Sequence, residues 1–96
     1  MQDRGQEILE AGIALALELG LHKVTRDGVA ERARVSTALV NRYWGTIAAL
    51  KDRVIATAIE REHLSILAQA IMDKHPTACA APRRLQERAA RNLLNS

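Results

Sequence analysis

Between Thr25 and Thr46 the chain reads TRDGVAERARVSTALVNRYWGT, and its apolar residues do not keep one helical period from end to end. They read instead as two short helices with a break between them, and that break limits what the rest of the chain can build. Thr25 is a good N-cap, because a Ser, Thr, Asp or Asn oxygen accepts an amide that the first helical turn leaves without a partner. The spacing predicts a helix over 26–33, a break at Arg34-Val35, a restart at Ser36 and a second short helix to about Tyr43. Gly28 weakens the first of these by roughly 1 kcal/mol against Ala without reversing the assignment. Gly45-Thr46 then resets the chain, with Thr46 as the next cap.

The flanking sequence is helical too. Ala and Leu dominate, Pro appears twice, the only aromatics are Tyr43 and Trp44, and no β-branched residues alternate over a run. The expected fold class is all-α. A first helix from about Asp3 to Leu19 has Asp3 as cap, Glu7 and Glu10 near its positive end, and an apolar stripe of Ile8, Leu9, Ile13, Leu15, Ala16, Leu17 and Leu19. Gly20 is the expected left-handed C-cap, and 21–24 a connector. A long fourth helix is expected from Ile47 to Lys74, ending before Pro76. Its first half has one stripe (Ile47, Leu50, Val54, Ala58), whereas Ile59, Leu64, Ile66, Leu67, Ala68, Ala70 and Ile71 cover more than one face and need two things to pack against. A small-residue linker over 77–82 leads to a final helix from about Pro82 to Leu94, with Leu85, Ala89 and Leu93 on one side and Arg84, Arg88 and Arg91 on another. At 96 residues the chain is expected to form a single compact domain: a region 1–54 around the broken pair, and a helical region 55–96 continuous with it.

Charge is distributed unevenly. Residues 22–53 carry seven Lys/Arg against three acids, and residues 74–96 carry five against one, while the first helix is acidic. Two basic zones suit a polyanionic partner. Cys79 is the only cysteine, which leaves no intrachain disulfide and no cysteine-based zinc site. His22, His63 and His75, with Asp73 and Cys79 near the last, lack metal-ligand spacing, and no nucleophile–base pair or glycine-rich phosphate loop is present. Neither an enzyme nor a cofactor or metal is expected. No apolar run reaches the ~18–20 residues of a membrane span, and the acidic start is unlike a signal peptide, so a cytoplasmic protein is expected with no membrane partner.

Two short helices joined by a tight turn with a third behind them form a helix-turn-helix, whose second member enters the DNA major groove. Ala30 is small where the pair must cross, and Val29, Ala33, Val35 and Val40 are the expected buried positions. That leaves Thr37, Ala38, Asn41 and Arg42 facing outward on the second helix, where Asn and Arg can make bidentate contacts with adenine and guanine edges. Thr25, Arg26, Arg34, Ser36, Thr46 and Lys51 are the expected phosphate contacts, helped by amides at helix N-termini.

The order T-x-x-x-V-A-x-x-A-x-V-S-x-x-x-V-x-x-Y-W-x-T-x-x-x-L, from Thr25 to Leu50, resembles the N-terminal DNA-binding domain of the TetR family of transcriptional regulators. The upstream ILEAGIALALELGLHKVT resembles that family's first helix and connector, so the likeness runs from about Arg4 to Val54. It implies that Tyr43 lies near the DNA backbone and that Trp44 is buried between the first and fourth helices. Three residues depart from the family pattern: Arg34 stands where Gly is usual in the turn, Asn41 where an aromatic is common, and Ile47 where Lys is frequent. If the backbone at Arg34 is left-handed, a β-carbon there costs about 1 kcal/mol, in exchange for a charge beside DNA.

The resemblance implies a sequence-specific repressor that binds double-stranded operator DNA. One recognition helix reads few base pairs, so specificity favours two copies about 34–36 Å apart on a near-palindrome. The surplus apolar residues Ile59, Leu64, Leu67 and Ile71, with Leu85 and Leu93, are the expected contacts of a homodimer; a fold-back of the last helix within one chain is the alternative. Family members usually carry a large C-terminal domain for an inducer. Only about 40 residues follow the opening of the fourth helix here, and a drug-sized pocket needs roughly 300 Å³, so no small-molecule ligand is expected. The competing functional reading is a helical protein-interaction module, an adaptor or inhibitor using the two-faced fourth helix.

Overall fold

In the computed structural model, which describes residues 3–94, every regular element is helical. The helices are α1 (Arg4–Leu19), α2 (Arg26–Ala33), α3 (Thr37–Trp44), α4 (Ile47–Arg61), α5 (Leu64–Met72), α6 (Pro76–Cys79) and α7 (Arg83–Leu94), with a 3-10 turn over Leu21–Lys23. Two compact units meet along the chain at Val54 and Ile55, inside α4. Residues 1–2 and 95–96 of the two expected regions lie outside the described residues.

In the first unit, the Asp3 carboxylate accepts the Gln6 N–H at 3.2 Å and starts α1 as expected. Ile8, Leu9, Ile13, Leu15 and Ala16 are buried. Leu17 and Leu19, expected in the same stripe, are 46% and 57% exposed, because the buried face narrows toward the end of α1. Gly12 sits at the crossing of α1 with its neighbours: a β-carbon there would lie 3.2 Å from Val54 and in contact with Val24 and Val29. Gly20 has positive φ, but φ 105 and ψ 154 lie outside the left-handed helical region, in backbone open essentially to glycine alone, while its N–H donates to the Ala16 carbonyl.

Three helix ends share one device. After α2, the Arg34 N–H donates to Glu31 O and the Val35 N–H to Ala30 O. After α4, the Glu62 and His63 amides donate to Ile59 and Ala58, and after α5 those of Lys74 and His75 donate to Ile71 and Ala70. Each is a Schellman closure, in which a left-handed residue reverses the chain and satisfies carbonyls of the last turn. The left-handed residue is Arg34 (φ 59), Glu62 (φ 56) or Lys74 (φ 56) instead of glycine. The carbonyl reached across the wider span of five residues belongs each time to a buried alanine, Ala30, Ala58 or Ala70.

The second closure corrects the long fourth helix expected from Ile47 to Lys74. α4 stops at Arg61, and the turn at Glu62-His63 starts α5 in a new direction. The physical reason is the two-sided apolar surface: a chain that turns can bury Ile66, Leu67, Ala68 and Ala70 fully, whereas a straight rod would leave part of them in water. α5 packs against α6 and α7 in the same unit. The expected small-residue linker also needs correction. Pro76–Cys79 forms one helical turn with Pro in the first position, Ala78 and Ala81 are buried, and Gln86 Nε2 donates to the Cys79 and Ala81 carbonyls at 3.0 and 2.8 Å. α7 buries Leu85 and Ala89, leaves Leu93 and Leu94 39% and 85% exposed, and bonds Arg88 to Glu62. Among the described residues no helix is long and apolar enough to cross a membrane.

The left-handed position at Lys74 predicts that Lys74→Gly stabilises the fold by about 0.5–1 kcal/mol, since glycine adopts this backbone without steric penalty. A higher midpoint of urea unfolding checks it; a lower midpoint would mean that the lysine side chain contributes more than its backbone costs.

Candidate nucleic-acid interface

Hydroxyl caps place α2, α3 and α4. Thr25 Oγ1 accepts the Gly28 N–H, Ser36 Oγ that of Leu39, and Thr46 Oγ1 that of Ala49, each at 3.1 Å. A hydroxyl that accepts in this way keeps its own O–H to donate, so each cap can still bond a phosphate oxygen at a helix N-terminus.

The α2–α3 pair packs through Val29, Ala30 and Val40, all buried. Ala33 and Val35, expected beside them, are only half-buried, because they flank the left-handed turn at the edge of the pair. On α3, Thr37, Ala38 and Arg42 are exposed and Asn41 is half-buried. They form two adjacent pairs four residues apart, which places them on one helical face, away from Val40. Thr25, Arg26, Arg34, Ser36 and Thr46 are exposed around this face, and Lys51 is half-buried on α4.

The cations are not equivalent. Arg32 is bonded bidentately to Glu18 across α1 and α2. The hydrogen bond, and to a lesser degree the opposite charge of the partner, hold the Glu18 carboxyl below its ordinary range and raise the Arg32 guanidinium above its own. The Arg26, Arg34 and Arg42 side chains make no hydrogen bond or ion pair among the described residues.

Both aromatics close onto Gly5, a residue that sequence reasoning did not single out. The Trp44 indole N–H donates to the Gly5 carbonyl at 3.1 Å. A β-carbon on Gly5 would stand 3.3 Å from the Tyr43 ring, so the missing side chain is what admits the ring. The only available signal was a glycine in the first turn of a helix, where it weakens the helix. Tyr43 is 48% exposed, and Trp44 is half-buried where full burial was expected.

Leu15, Leu19, Lys23, Thr25, Gly28, Glu31, Arg32 and Arg34 line a groove of about 600 Å³, open to solvent, beside α2. In the second unit, the expected dimer residues Leu67 and Leu85 are buried within the chain, Ile59, Leu64 and Ile71 are half-buried, and Leu93 is exposed. Met72, 66% exposed, was not expected there. Among the described residues, no group of His, Cys, Asp or Glu is placed to hold a metal ion.

Residues 8–54 match the family described as bacterial regulatory proteins, tetR family. Over 55 residues the chain is 44% identical to a protein of Bacillus subtilis (strain 168) described as an uncharacterized HTH-type transcriptional regulator, YdeS; the match covers 56% of this chain and 28% of that protein. The chain thus spans little more than a quarter of its relative's length. No solved structure matches it.

Trp44→Phe removes the bond to Gly5 while keeping most of the ring, and should lower stability by about 0.5–1.5 kcal/mol. Trp44 is the sole tryptophan, so its emission in the folded protein should be blue-shifted from the denatured chain. Identical emission in both states would remove Trp44 from the core.

Proposed function

With residues 8–54 forming the tetR-family helix-turn-helix domain, we propose that the chain is a sequence-specific transcriptional repressor that binds a near-palindromic operator as a homodimer in the cytoplasm. The observation that carries this reading is the outward face of α3, which combines Asn41 and Arg42 with Thr37 and Ala38, next to cationic side chains that have no partner among the described residues. In it, Asn41 and Arg42 read adenine and guanine edges, and Thr37 and Ala38 contact thymine methyls or neighbouring bases. Thr25, Arg26, Arg34, Ser36, Tyr43, Thr46 and Lys51 hold phosphates and fix the register. The reading assigns no catalysis and no inducer. The groove beside α2 is open, and Thr25 and Arg34 on its rim are phosphate contacts here.

The proposed dimer uses Ile59, Leu64, Ile71 and Leu93, with Leu67 and Leu85 as the covered layer beneath them. The exposure of Leu93 supports it, as does that of Met72 and Leu94. The adaptor reading would use the same apolar residues on another protein; salt-sensitive DNA binding separates the two, because only phosphate contacts release counterions.

Selection of bound sequences from random DNA supplies the operator for the test. Asn41→Ala and Arg42→Ala should each weaken binding to the selected site by about 1–3 kcal/mol and leave thermal unfolding nearly unchanged. Equal losses on selected and random DNA would demote the residue to a phosphate contact, and no loss on either would remove it from the interface. Light scattering at micromolar concentration should give the mass of two chains, and Leu93→Glu should lower both that mass and operator affinity. A single chain binding at full affinity would defeat the dimer.

A further inference from the structure

The three left-handed helix ends differ in what their side chains do. All three place a β-carbon where the backbone favours glycine, with φ 59 at Arg34 and φ 56 at Glu62 and Lys74. Glu62 has an evident use, because its carboxylate bonds Arg88 and ties α4 to α7. The Arg34 guanidinium is exposed and bonds nothing among the described residues. The Lys74 side chain is likewise exposed with no partner among the described residues, so it is its place in the fold that sets Arg34 apart. Its location is the turn between α2 and α3, two residues before the Ser36 hydroxyl that caps the N-terminus of α3.

We propose that Arg34 is a phosphate-binding residue held in the turn at the expense of fold stability, so that one position trades stability against DNA affinity. This rests on the DNA-binding reading given above. The two Schellman bonds, 3.2 Å from Arg34 to Glu31 and 2.9 Å from Val35 to Ala30, fix the backbone from which the side chain extends. An arginine so anchored is suited to one phosphate, because its planar fork bonds two oxygens at once. A phosphate is present at every nucleotide, so the contact adds affinity without sequence preference.

The two sides of the trade can be measured separately on a random-sequence DNA duplex over a series of salt concentrations. Arg34→Gly should raise the melting temperature by a few degrees. It should also weaken duplex binding roughly 5–10-fold at ~0.1 M salt and flatten the slope of log affinity against log salt by about 0.9, the share of one phosphate. Arg34→Asn, which tolerates the left-handed backbone without charge, should lose the same affinity. Arg34→Lys should keep the wild-type slope. Lys74→Gly relieves the same backbone strain in the other unit, and should raise the melting temperature with DNA binding unchanged. The proposal falls if Arg34→Gly leaves affinity and slope intact, if Arg34→Lys flattens the slope as glycine does, or if Lys74→Gly weakens binding equally. Absence of salt-dependent duplex binding by the wild-type protein would instead overturn the DNA-binding reading itself, and this proposal with it.

Discussion

A helix leaves its last carbonyls without intrahelical partners, and the seven α-helices among the described residues meet that difficulty repeatedly. Here the paired bonds of the Schellman closure resolve it at α2, α4 and α5, and each closure also turns the chain. The α2–α3 angle depends on the first, and the burial of α5 against α7 on the second. A buried alanine four residues before each left-handed residue accepts the closing bond. A bulkier residue at Ala30 would push apart the two helices whose crossing presents α3.

What the sequence made legible follows from whether a signal was local. Asp3, Thr25, Ser36 and Thr46 are each short polar residues before an apolar run, and each accepts the amide expected of it. The order of small and aromatic residues from Thr25 to Leu50 identified the motif, and the outward positions of α3 came from helical spacing alone. The end of α4 was invisible by the same logic. It has no glycine or proline, and its left-handed residue is a glutamate that reads as ordinary helix surface. The clue was indirect: Ile66, Leu67, Ala68 and Ala70 could not all be covered on a straight helix, a fact about packing rather than propensity. Gly5 was missed because its role depends on residues far along the chain.

The charge pattern also needed coordinates to be sorted. From composition, Arg26, Arg32, Arg34 and Arg42 form one basic cluster. In the fold, Arg32 is engaged by Glu18 and links α2 to the end of α1, while the other side chains have no partner among the described residues. An exposed pair of this kind contributes little to stability; its larger effect is to subtract one cation from those available to a polyanion. Counting basic residues alone overstates the electrostatic footprint.

The Trp44–Gly5 bond joins residues 39 positions apart, and this has a consequence for the order of assembly. α2, α3 and their caps are made from near neighbours, so they can form early and at small entropic expense. Docking the end of α3 onto the start of α1 requires closing a loop through nearly the whole first unit, whose cost rises with the logarithm of its length. By this argument, the orientation of α3 relative to α1 is set after the short helices themselves have formed. The indole that makes the contact is also the chain's single tryptophan, so tryptophan emission followed during refolding reports the docking of α3 onto the start of α1 rather than the formation of the helices themselves.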